Sequence, residues 1–118
     1  MMKKPILKKS SEAVVRGEGS DYEIHNYITN GNSEKLSVAV SMLNGKLWKT
    51  MNTVSDRVYY IIEGGGDFIF EKEKLRAVKG DMVLVPAGLS YRLEGKFKAV
   101  LINAPPFNIK NEVQLSEK

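Results

Sequence analysis

The 118-residue chain contains no cysteine and a single histidine, His25. Without thiols there is no disulfide scaffold, no thiolate zinc site and no cysteine nucleophile. One imidazole excludes every site that requires two, which covers most zinc and non-haem iron centres. It also leaves His25 as the sole base for any triad, although serine and aspartate are plentiful. Long apolar runs are missing as well. No stretch approaches the ~18 apolar residues that a membrane-crossing helix needs. Residues 1–9 alternate lysine pairs with one apolar pair, Ile6-Leu7, and so lack a signal-peptide apolar region. The expectation is a soluble, cytoplasmic protein with no membrane partner.

Excess charge of one sign is confined to one end. The formal charge is +4, but residues 1–9 carry four lysines and no acid, so the remainder is neutral. A nucleic-acid partner is therefore not expected, since it calls for Lys and Arg clustered on a folded surface. Residues 1–11 read as a mobile basic arm and 12–118 as one domain, a length suited to a single core.

What is present is a succession of short apolar runs separated by turn residues. They fall at 13–16, 22–29, 36–43, 47–51, 58–62, 67–70, 75–78, 82–85, 91–93 and 98–102. Ten such runs at roughly ten-residue spacing predict an all-β sandwich or barrel. Gly64-Gly65-Gly66 is read as a hairpin turn, because it lacks the Lys-Ser/Thr of a phosphate loop and leads into a strand. Pro105-Pro106 ends the last central strand, since proline has no N–H to donate. Phe107 is then expected on the barrel exterior or against a second subunit, and Trp48 in the core or at a dimer contact.

Two glycine-bounded segments carry a further resemblance. The first runs from Gly45 to Gly64 and ends in YYIIEG; the second, GDMVLVPAG, begins at Gly80 and holds Pro86 and Gly88. Their spacing resembles the two motifs of the cupin superfamily, G(x)5HxH(x)3-4E(x)6G and G(x)5PxG(x)2H(x)3N, over roughly residues 36–103. The resemblance implies a cupin-like double-stranded β-helix (jelly-roll) barrel that pairs as a homodimer, with residues 22–29 and the proline-rich end suited to the interface. It also locates the metal ligands of metal-bearing cupins, and here those positions hold Met51, Thr53, Arg57 and Tyr91, or Thr50 and Asn52 for the first two in the longer spacing. None is a metal-ligating histidine or carboxylate, and the always-protonated Arg57 would repel a cation. No metal and no cofactor are expected.

By strand parity the lumen would then be lined by Met51, Thr53, Arg57, Tyr59, Ile61 and Tyr91. A buried guanidinium requires compensation. Either an anionic ligand supplies it, aided by the tyrosine hydroxyls, or Arg57 pairs with Asp56, Glu63 or Glu94, or its head reaches solvent. Three functions stay open. The first is a metal-free barrel that binds a small, anionic organic ligand. The second, suggested by metal-free cupin-like enzymes, is a sugar or nucleotide-sugar isomerase or epimerase with His25 as base and Tyr91 as acid, His25 pairing with Tyr91 or Tyr59. The third is a filled barrel serving as a dimerisation or interaction module.

Overall fold

The computed structural model describes residues 4–116; the first three residues of the expected arm lie outside that range. Residues 4–9 form neither helix nor strand. A short 3-10 turn at Ser10–Glu12 then leads into nine strands. They are β1 (Val14–Arg16), β2 (Tyr22–Ile28), β3 (Ser37–Lys46), β4 (Thr50–Asn52), β5 (Asp56–Ile69), β6 (Lys74–Val78), β7 (Met82–Val85), β8 (Arg92–Ala104) and β9 (Glu112–Gln114). All pairings are antiparallel. The main sheet runs β1-β2-β3-β8-β5-β6, with β7 also on β5, and β4 pairs β9 in a second small sheet.

The two longest strands give the barrel its shape. β5 and β8 pair along their whole length, Asp56 opposite Ala104 and Ile69 opposite Arg92. The other edge of β5 is covered by β7 along its first half and by β6 along its second. Each long strand thus serves both walls of the barrel, bending at its middle, where a bulge between Ile61 and Glu63 shifts the register. The triple glycine is therefore not a hairpin but lies inside β5, and Glu94-Gly95 likewise lies inside β8. The reason is steric. At the bend a methyl group on Gly95 would sit 2.6 Å from the Gly66 Cα, and Gly64 has a positive φ of 72°. Only glycine permits both.

Side-chain size decides which end of the barrel is filled. Beyond the bend, Phe68, Leu93 and Phe97 are buried, with Tyr59 edge-on to Phe68 at 5.0 Å and Phe97 stacked on it at 6.0 Å. At the opposite end the inward face of β3 offers only Ser37, Ala39 and Ser41, all buried. These small side chains along one strand leave the barrel hollow there.

Candidate functional site

The hollow end is a cavity of about 250 Å³. Its wall is largely apolar and aromatic, from Tyr22 and Ile24 on β2, Leu47, Trp48, Leu101 and Phe107. Its polar end is built around Arg57, which β5 directs inward and leaves 4% exposed. Arg57 Nε donates to Asn103 Oδ1 at 2.7 Å, and Nη1 donates to the Tyr91 hydroxyl at 2.9 Å and to Glu112 Oε2 at 3.0 Å. Nη2 donates to Glu112 Oε1, completing a two-pronged ion pair. The Tyr59 and Tyr91 hydroxyls share a hydrogen bond of 2.6 Å.

Glu112 reaches this position because the chain folds back after the prolines. Phe107 N donates to Ser37 Oγ at 2.8 Å, a 3-10 turn follows at Ile109–Asn111, and β9 pairs with β4. Glu112 also accepts from Thr50 Oγ1 at 2.7 Å and from Asn52 Nδ2 at 3.0 Å. Four hydrogen bonds thus converge on its two oxygens. Burial opposes the charge on Arg57, but the Tyr91 and Tyr59 oxygens and Glu112 outweigh it and hold the guanidinium above its ordinary value. Burial pushes the hydroxyls of Tyr59 and Tyr91 above the ordinary tyrosine value of 10.0, so both are protonated at neutral pH.

Several parity expectations are corrected. In β4, Thr50 and Asn52 are buried, whereas Met51 is turned away from the cavity lining and Thr53 is exposed. Thr50 and Asn52 are thus the inward pair, and Asn52 Oδ1 accepts from the backbone N–H of Val54 at 3.0 Å and of Ser55 at 2.6 Å in the turn after β4. Ile61 points inward but is packed in the core, beyond the cavity. His25 lies on the opposite face of β2 from the cavity-lining Tyr22, Ile24 and Asn26, and shares a 2.5 Å hydrogen bond with Glu23. No His25–Tyr91 or His25–Tyr59 pair forms. Phe107 is not on the exterior but in the cavity wall, and Trp48 lines the cavity as well.

Arg57 points inward as expected, but its partner is none of those expected. Asp56 accepts from Ala87 N at 2.9 Å, Glu63 pairs with Lys98 at 3.2 Å, and Glu94 lies 3.8 Å from Lys46 and 3.9 Å from Arg92. Glu112 and Asn103 were missed. Asn103 shares the inward parity of Leu101 on β8 and could have been found. Glu112 lies beyond a proline break, where strand parity carries no information.

A metal ion of the kind that cupins hold does not fit this donor set. Among the described residues Glu112 is the only acid in the lining, and its oxygens are occupied by Arg57, Thr50 and Asn52. Among the described residues no group of three or more His, Asp or Glu side chains could hold a metal.

No protein-family profile matches the chain. Among curated proteins, the uncharacterized protein MJ1618 of Methanocaldococcus jannaschii is 26% identical over 89 residues, spanning 72% of this chain and 71% of that protein. Among solved structures, the nucleoside dehydratase Pac13 superposes with a TM-score of 0.87 at 20% identity, over 97% of this chain and 93% of its own. Variants of Streptomyces PAC13 have been solved with uridine. Ectoine synthase from P. lautus gives a TM-score of 0.78 at 14% identity, over 97% of this chain and 92% of its own. At such identities the likeness is one of fold. Strand order, the two glycine-bounded segments and these superpositions agree: the protein is an all-β barrel with the cupin fold.

Proposed function

We propose that the protein binds a small, ring-bearing organic molecule in the hollow end of its barrel, and that it does so without a metal ion. The observation that carries this is the cavity itself, of about 250 Å³, with aromatic side chains along the wall and ordered hydrogen-bonding groups at one end. Ligand sites have this character, an apolar enclosure with a few convergent polar groups, and the volume, close to the ~300 Å³ at their lower end, limits the occupant to a small molecule. Because Glu112 already neutralises Arg57, that pair presents a polar but uncharged end to the ligand. Nucleosides are the first class to test, given the fold likeness to a nucleoside dehydratase over 97% of the chain.

The interaction-module reading calls for a filled barrel, and the isomerase reading calls for His25 in the lumen; neither is favoured by this geometry. The expected homodimer is better served by the outer sheet face than by the segments suggested from sequence. Tyr22, Ile24 and Phe107 line the cavity, whereas Met82 is 68% and Leu84 61% exposed on β7 beside the exposed Tyr60 of β5. Contiguous exposed apolar side chains of this kind mark association surfaces.

Native mass spectrometry of the protein as purified, followed by calorimetric titration with a nucleoside panel led by uridine, tests the proposal. Saturable binding is expected, and Ala39→Leu, which grows a side chain into the cavity, should abolish it while leaving the circular dichroism unchanged. Absence of both a co-purified small molecule and any nucleoside binding would overturn the reading. Stoichiometric iron, zinc, nickel or manganese by elemental analysis would overturn the metal-free part.

A further inference from the structure

Among the described residues, three that line the cavity are charged: Arg16, Arg57 and Glu112. Arg57 and Glu112 neutralise each other. The charge left over belongs to Arg16, and its position is specific. β1 pairs Arg16 with Ile24, so both side chains lie on the lumen face of the β1-β2 edge. The guanidinium packs over the Phe107 ring, 5.1 Å from its centre, while the buried Arg57 guanidinium lies 5.9 Å from the same ring. Phe107 thus contacts both cations, one deep and paired, the other exposed at the rim. Gly17 and Ser20 complete the lining beside Arg16. The Ser20 hydroxyl is engaged with the carbonyls of Gly17 and Tyr22 at 2.6 Å, which holds the β1-β2 turn in place.

We infer that Arg16 is an anion subsite at the cavity mouth, so that the preferred ligand carries a phosphate or carboxylate on its outer end and an uncharged ring within. This inference rests on the lumen-binding reading. An anion placed against Arg57 would have to displace a carboxylate held by four hydrogen bonds. Among the described residues Arg16 has no acidic partner to displace, and the guanidinium fork suits planar carboxylate and phosphate oxygens alike. Stacking on Phe107 limits the freedom that Arg16 would otherwise lose on binding.

Two matched pairs of probes, uridine against uridine 5′-monophosphate and benzamide against benzoate, separate the outcomes in titrations of the wild type and Arg16→Gln. The anionic member of each pair should bind the wild type at least tenfold more tightly, with a preference that weakens as salt rises. Arg16→Gln should erase the preference and leave the neutral probes within about twofold. Neutral probes that bind while the anions gain nothing, or a preference that survives Arg16→Gln, would overturn the anion subsite and spare the lumen reading. If no probe of either pair binds, the lumen reading falls and the subsite with it. A preference retained by Arg16→Lys would identify charge as sufficient, and its loss would identify the fork geometry as required; both agree with the subsite.

Discussion

Replacing Glu112 with alanine removes the acid that faces Arg57 and leaves the donors of Arg57, Thr50 and Asn52 facing an empty space. Truncating one member of a buried ion pair costs about 3–5 kcal/mol, because the remaining charge is stranded away from water. The side chains of Arg57 and Glu112 are 5% and 18% exposed, so some solvent reaches the acid's side of the pair and the lower end, ~3 kcal/mol, is expected. At about 4 °C per kcal/mol for a chain of this size, the melting temperature should fall by roughly 12 °C. Glu112→Gln keeps the shape but strands the same charge and sets an amide donor against the donors that Glu112 accepts from, so it should cost about as much, ~3 kcal/mol. Urea and thermal unfolding followed by circular dichroism measure both. Formate or acetate at tens of millimolar should restore part of the alanine variant's stability, since a small carboxylate fits the vacated place, whereas chloride at equal ionic strength should not. An alanine variant that loses less than ~1 kcal/mol, or one indifferent to formate, would refute the assignment of Glu112 as the counter-charge of Arg57.

Gly95→Ala places a methyl group 2.6 Å from the Gly66 Cα and should destabilise the protein by more than about 2 kcal/mol, read as a lowered urea midpoint with an unchanged slope. The hydroxyls of Tyr22, Tyr59 and Tyr91 are all pushed above the ordinary value of 10.0, chiefly by burial, so the folded chain holds protons that the unfolded chain releases. Stability should therefore be unaffected by these groups below pH ~10 and fall as pH rises beyond it. Phenolate absorbance and circular dichroism should then change together for these three; full ionisation of every tyrosine with native dichroism would contradict their burial. The proposed homodimer through β7 predicts that the wild type scatters light as a dimer and that Leu84→Lys, on a residue 61% exposed, scatters as a monomer with an unchanged melting temperature; a monomeric wild type, or a variant of unchanged mass, would refute that interface.

The inward direction of Arg57, Tyr59 and Tyr91 was legible because the glycine-bounded segments have recognisable spacing and the first half of β5, from Asp56 to Ile61, alternates between faces before the bulge. The same alternation misdirected Met51 and Thr53, since β4 is only three residues long and a one-residue shift exchanges its two faces. Glycine clusters were misread as chain reversals because a turn and a sharply bent strand ask the same thing of a residue, freedom from a Cβ. Which of the two applies depends on what approaches from the neighbouring strand.

Residue order alone decided the class of fold, the absence of thiols and paired imidazoles, and the burial of an arginine that requires an opposite charge. Those follow from local periodicity and from side-chain chemistry that each residue carries wherever it lies. Tertiary structure decided what answers that charge. Glu112 lies 55 residues beyond Arg57, after a proline break, and only the return of the chain onto β4 brings the two together. The hollow was likewise settled in three dimensions, because serine and alanine on β3 leave a cavity only where no large side chain from β5 or β8 reaches across to fill it.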